Sequence, residues 1–225
     1  MTENTEKNTA SSKLNSFIET RKKVLIVCLA VLLCCIACVI ISSIVINKAK
    51  VSGLTRLDEI SFTLTDGSAN LEESELTARR IDALEKLEEL KGKGGIVGAR
   101  ANMLAAEILF QQKKYTEAVE AWKATAAKSS KSYIAPIAYY NLGVCYEQLG
   151  QNDDAAESYK KAADNKDYIL STHAAFSYGR VLEASGKAAE AFEAYSALYD
   201  KDPDDTWAKL AKTRMLTLQV QGKVE

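Results

Sequence analysis

Two patterns of apolar and polar positions divide this chain. Residues 24–46, beginning at Val24 and ending at Ile46, hold no charge and no proline, and Ser42 and Ser43 are their only strongly polar side chains. As a helix the segment would measure about 34 Å, enough to cross a hydrocarbon core of about 30 Å. After residue 50 apolar residues instead recur every three or four positions between charged ones, the period of amphipathic helices. Residues 51–64 predict one such helix, with Leu54, Leu57, Ile60 and Leu64 on one face. Residues 71–91 predict a second, carrying Leu76, Ile81, Ala83, Leu84, Leu87 and Leu90 and stopped by the glycine-rich stretch Gly92-Lys93-Gly94-Gly95. Residues 206–221 predict a last one, with Trp207, Leu210, Arg214, Met215 and Leu218 on one side.

Between these helices the sequence repeats itself. Tyr139 is followed by Leu142, Gly143, Tyr146, Gly150, Ala155, Tyr159 and Ala162, which fall at positions 4, 7, 8, 11, 15, 20, 24 and 27 when Pro136 is position 1. Counted from Thr172, the residues Gly179, Leu182, Gly186, Ala191, Tyr195, Leu198 and Pro203 fit the same ruler. Counted from Ala99, so do Ala106, Leu109, Ala118 and Trp122, with Lys113 where the other copies place a turn glycine. The pattern resembles the tetratricopeptide (TPR) signature, a repeat of about 34 residues forming two helices and a turn. Offsets of 37 and 36 residues here imply longer inter-repeat turns at 128–132 and 163–167. Ala83, Leu87 and Leu90 keep the same relative spacing as positions 20, 24 and 27. They predict the second helix of a divergent first repeat, whose partner is 51–64.

The same residues make sense physically. Gly143, Ala155, Ala162, Gly179 and Ala191 are small where paired helices would cross, and Leu142, Tyr146, Tyr159 and Trp122 would fill the space between them. The turn glycines supply a left-handed backbone at little steric cost. One helix pair cannot bury its apolar face alone, so copies stack. The expected fold is all-α: a TPR-like right-handed α-solenoid of helix pairs with a C-terminal capping helix, preceded by one transmembrane helix. The expected divisions are a cytoplasmic, disordered tail over 1–23, the transmembrane helix over 24–46, a juxtamembrane helix and loop over 47–70, and the TPR-like domain over 71–222. Its repeats lie near 99–132, 136–169 and 172–205, and its cap at 206–221.

Charge placement bears on topology. Lys7, Lys13, Arg21, Lys22 and Lys23 precede the apolar block, whereas Lys48, Lys50 and Arg56 follow it. By the positive-inside rule the N-terminus stays in the cytoplasm and the repeats are translocated. A cleaved signal peptide would have a shorter apolar core. A lipoprotein signal ending at Cys38, after Ala37, would be followed by a polar tether, but Val39 to Ile46 is nearly all apolar. An uncleaved anchor is the better fit. Ala30, Cys34, Cys38 and Ser42 lie four apart and would form a small-residue stripe that a second membrane helix can approach, or would simply face lipid.

Composition removes several function classes. The formal net charge is −1, and beyond residue 50 there are 22 Lys and Arg against 27 Asp and Glu, so nucleic acid is not an expected partner. Four of five cysteines lie in the apolar block. Cys35 and Cys38 form a C-x-x-C with no charge beside it and no second ligand pair, and Cys145 is alone. The only histidine is His173. No triad, P-loop, dinucleotide or zinc motif is present, so no catalytic residue, cofactor or metal is expected.

A short tail, one membrane helix and a compact TPR-like domain together resemble the bacterial YfgM-like family, ancillary to the SecYEG translocon. That resemblance rests on element order across the chain and on TPR motifs in general. It implies an inner-membrane protein with a periplasmic domain that contacts translocating or folding proteins and their chaperones. The expected function is a membrane-anchored protein–protein interaction module, a scaffold or chaperone-like factor. The alternative is a structural assembly factor in envelope biogenesis or cell division.

In TPR solenoids, positions 2, 5, 9, 12 and 13 of each first helix face a concave groove. Here these are Arg100, Met103, Glu107, Phe110 and Gln111, then Ile137, Tyr140, Val144, Glu147 and Gln148, then His173, Phe176, Arg180, Glu183 and Ala184. The candidate peptide-binding residues are Met103, Glu107, Phe110, Ile137, Tyr140, Val144, His173, Phe176 and Arg180. Such a lining suits an amphipathic helix or an extended apolar peptide, unless helix 206–221 fills the groove from within. The carboxylate clamp of chaperone-binding TPRs is not expected, because Met103, Glu107, His173 and Ser177 depart from its pattern and only Asn141 fits.

Overall fold

The computed structural model describes residues 3–130 and 132–224, with side chains from Phe17 onward. Met1 and Thr2 of the expected tail, and Lys131 of the first inter-repeat turn, lie outside the described residues. Among the described residues there are nine α-helices and no strand. They are α1 (Glu3–Thr65), α2 (Glu73–Lys91), α3 (Gly95–Gln111), α4 (Tyr115–Lys128), α5 (Ile134–Gln148), α6 (Asn152–Ala163), α7 (Ser171–Ala184), α8 (Ala188–Lys201) and α9 (Thr206–Val220), with a 3-10 turn at Ser68–Asn70.

The chain divides into two compact units, Met1–Ser52 and Gly53–Glu225. The first is helical from Glu3, where a disordered tail was expected. No proline or glycine occurs before Gly53 to interrupt a helix. This unit holds one apolar window of mean hydropathy 3.5, long and apolar enough to cross a membrane, a property that a retained anchor and a signal sequence share.

In the second unit each helix packs on its neighbour in sequence from α2 to α9, and the next-but-one pairs α3 with α5 and α7 with α9 also touch. The helix pairs α3/α4, α5/α6 and α7/α8 are the three expected repeats. Position 3 of each first helix is Ala101, Ala138, Ala174 and, in α9, Ala208, all fully buried. α9 therefore stands where the first helix of a further repeat would. Its N-terminus is capped by Asp205, whose carboxylate accepts from the amides of Trp207 at 2.8 Å and Ala208 at 3.1 Å.

At two crossings the backbones come too close for a side chain. A Cβ on Gly143 would lie 2.7 Å from Tyr159 Cε1, and one on Gly179 would lie 2.6 Å from Tyr195 Cε1. The turns within the repeats are equally regular. Lys113, Gly150 and Gly186 have φ of 59°, 70° and 77°. After each, the next amide donates back to a carbonyl in the last turn of the helix: Lys114 to Leu109 at 2.9 Å, Gln151 to Tyr146 at 2.9 Å and Lys187 to Leu182 at 3.0 Å. These are Schellman ends, and in the first repeat a lysine occupies the place that glycine fills elsewhere.

The end of α1 supplies buried Leu57 and Ile60, with Leu54 and Leu64 partly buried, against Ala83, Leu87, Leu90 and Val97. One residue on each of two expected apolar faces lies outside the core. Ile81 of α2 is 58% exposed, and Leu210 of α9 is 41% exposed. α9 buries Ala208, Ala211 and the expected Leu218, and Trp207 and Met215 of the expected face pack against the same core. Both helices stand at ends of the stack and have fewer neighbours to cover a wide apolar stripe.

Candidate groove and its inter-repeat joints

The fifth position of each first helix leans on the large residue at position 24 of its own repeat. Tyr140 meets Tyr159 edge-on at 5.3 Å between ring centroids, and Phe176 meets Tyr195 at 5.6 Å. Met103 packs on the cluster containing the equivalent residue Trp122. Of the expected groove residues, Met103, Phe110, Ile137, Tyr140, Val144 and His173 are partly buried, Phe176 is buried, and Glu107 and Arg180 are exposed.

The structure brings some of these together. His173 touches two aromatic rings: Trp207 stacks on it at 3.8 Å, and Tyr140 is tilted against it at 5.2 Å. The Tyr140 hydroxyl lies 3.3 Å from the imidazole nitrogens. Trp207 also reaches Phe176, at 5.4 Å. Burial, helped by the charge of Arg180, holds the His173 pKa below its ordinary value. Thus α9 covers the groove's C-terminal end through one indole. Met103 and Phe110 instead pack beside α4, in a cluster with Ala118, Val119 and Trp122.

Arg180 already has a partner within the protein. Its guanidinium donates to both oxygens of Glu147, at 2.7 Å each, while the Tyr159 hydroxyl donates to the same carboxylate at 2.5 Å. Burial raises the Glu147 pKa, but the bonds from Arg180 and Tyr159 outweigh it and the net shift is downward. The next joint repeats the arrangement: Arg214 pairs with Glu183, which also accepts from the Tyr195 hydroxyl at 3.2 Å. These Tyr–Glu–Arg joints escaped the sequence reading, as did the role of Trp207. Their signal was present, since Glu147 and Glu183, like Tyr159 and Tyr195, stand 36 residues apart. The residues at the positions of Glu147, Tyr159 and Arg180 one joint earlier are Phe110, Trp122 and Val144, all apolar.

At the other end of the groove a cavity of about 340 Å³ opens between the end of α1, α2 and α3. Leu64, Leu76, Leu104 and Ile108 form apolar walls, with Ser61, Thr65, Arg80, Glu107 and Gln111 as polar ones. Arg80 is paired with Glu73 at 2.7 Å. Cys145 is buried, which pushes its thiol pKa up to about 11 and leaves it a small apolar filler. Among the described residues no group of three His, Cys, Asp or Glu side chains is placed to hold a metal ion.

Stacked helix pairs sharing one curved inner face define a class of binding scaffold. The tetratricopeptide repeat model matches residues 79–133, 105–168 and 170–206, more than half of the chain, and the chain belongs to that family. It is an all-helical TPR solenoid and, as such, a protein–protein interaction module. A TPR repeat-containing protein of Treponema pallidum (strain Nichols) is 34% identical over 155 residues, which are 69% of this chain and 63% of that protein. This chain therefore spans less than two thirds of that relative. Among solved structures the chain is similar to MamA, with 23% identity and a TM-score of 0.46 over 57% of this chain and 75% of that one. It is also similar to YrrB, described as a TPR protein with an unusual peptide-binding site, with 21% identity and a TM-score of 0.45 over 69% and 75%.

Proposed function

We propose that this protein is a membrane-tethered scaffold whose concave groove binds an apolar or amphipathic segment of another polypeptide. One observation carries the reading: Met103, Phe110, Ile137, Tyr140 and Val144 stay only partly buried, while α9 covers no more than the His173 and Phe176 end. Apolar side chains left open along one groove call for a partner. Residues 24–46 are retained as the anchor, and the basic residues before them keep the N-terminus in the cytoplasm. Together with the resemblance to translocon-associated TPR proteins, this favours translocating or folding envelope proteins as partners, at the inner membrane with the repeats in the periplasm. A structural assembly factor of the envelope would use the same groove.

Crosslinking in the native membrane followed by affinity purification tests the reading. Tyr140→Glu with Phe176→Glu should abolish capture of the crosslinked polypeptide. Phe176 is buried, so the pair is compared with Tyr140→Glu alone, which is expected to lose capture while keeping helicity. Capture that survives Tyr140→Glu would move the site off the groove. A cytoplasm-dependent reporter fused after Glu225 should be silent, and a bright signal would reverse the topology.

A further inference from the structure

The groove has a chemical asymmetry that follows from its joints. Position 9 of each first helix faces position 12 of the preceding one. Arg180 answers Glu147 and Arg214 answers Glu183, so both carboxylates there are satisfied within the protein. At the joint before them the equivalent pair is Val144 and Phe110, which has no charge to satisfy. At the first joint position 9 is Glu107, and α1 offers Leu64 at the same cavity. The Glu107 carboxylate has no ion pair or side-chain hydrogen bond among the described residues, and Arg100 on the same helix is paired with Asp58. The one guanidinium on the cavity wall, Arg80, is held by Glu73.

We propose that this cavity takes a lysine or arginine side chain of the polypeptide bound along the groove, with Glu107 receiving its cationic head. The inference rests on the groove reading above and adds the chemistry of the ligand. Leu64, Leu104 and Ile108 line the cavity beside Glu107 and suit the aliphatic stem of a long basic side chain. Gln111, one helical turn further along α3, can accept a second hydrogen bond through its amide oxygen. Glu107 itself remains accessible to water, as a group that a partner must reach has to be. Its concave surroundings still withdraw enough solvent to raise its pKa, and no neighbouring cation offsets that rise. A cation delivered by a ligand would therefore meet an accessible carboxylate that no group of the protein neutralises, a setting in which one charge pair confers selectivity.

The test uses the full-length chain in detergent micelles and short random peptides displayed on phage. Enriched peptides should carry Lys or Arg beside apolar residues. Glu107→Gln should weaken them about tenfold or more, the scale of one charge-assisted hydrogen bond, without lowering the melting temperature. Glu107→Lys should reject them and regain binding when the peptide's basic residue is replaced by Glu. Enriched peptides with no basic preference, or equal binding to Glu107→Gln, would overturn the inference. If such peptides are still lost on Tyr140→Glu, the groove reading survives that failure. Peptides indifferent to both substitutions, or no enrichment at all, would count against both.

Discussion

Lys113→Gly is expected to stabilise the repeat domain. Lys113 is the one non-glycine residue with a left-handed backbone among the described residues, at φ 59°, and Gly150 and Gly186 hold the same place in the later repeats at 70° and 77°. All three turns close equivalent hydrogen bonds, so bonding does not distinguish them. An L side chain in this conformation costs about 1–2 kcal/mol relative to the right-handed one. Glycine removes that strain but gives the unfolded chain extra freedom, which costs about 0.4–1 kcal/mol. The difference favours glycine by about 0.5–1 kcal/mol, or about 1–4 °C in melting temperature for a domain of this size. Gly150→Lys is the converse experiment. A Cβ there meets nothing within 4 Å, so the substitution adds backbone strain without a clash. It should lower the midpoint by a similar amount. Circular dichroism melts of the full chain, with all variants in one detergent, provide the comparison. A melting temperature lowered by Lys113→Gly, or raised by Gly150→Lys, would refute the argument.

Two further outcomes follow from the crossings and the histidine. Gly179→Ala places a methyl 2.6 Å from Tyr195 Cε1 and should cost about 1–3 kcal/mol, read as a shift in the urea midpoint; an unchanged midpoint would show that the helix pair gives way freely. Because the His173 pKa is lowered in the folded protein, the unfolded chain takes up that proton more readily. Its contribution to stability should be complete above the ordinary histidine value of about 6.5 and fall as pH drops below it. His173→Phe should flatten that part of the stability profile, and a parent profile that is level or rising toward acid would contradict the assignment.

Much of the fold was legible because the repeat ruler fixes register as well as helix type. It marked Gly143 and Gly179 as crossings and Lys113 as a turn residue out of place, and the geometry agrees at all three. It placed Tyr140 and Phe176 at one repeat position, where each leans on a tyrosine twenty or fewer residues later in its own pair. Periodicity was less informative at the ends of the stack. It shows which side of a helix is apolar but not how much of that side a neighbour covers, so Ile81 and Leu210 belong to the apolar pattern and yet are exposed. The joints were hidden for a different reason. Arg180 read as a groove cation when considered alone, and only the position of Glu147 on the preceding first helix shows its charge already matched. Trp207 belonged to the expected cap, but its overlap with His173 depends on how tightly α9 follows α7, which no one-dimensional pattern reports.

The unequal joints give the solenoid a graded stiffness. The two toward α9 are latched by a carboxylate that a tyrosine and an arginine hold from different helices, whereas at the joint of Phe110 and Val144 those positions are apolar and Lys123 lies over the Tyr146 ring at 6.0 Å instead. In a stack whose pairs lean only on their neighbours, deformation concentrates where coupling is weakest. Amides of α4 and α5, which flank the joint without a carboxylate latch, should therefore exchange with solvent through smaller openings than those of α7 and α8. A polypeptide lying across all the pairs would find one end of its seat set in pitch and the other free to adjust its curvature, so the domain would grip like a spring clamped at a single end.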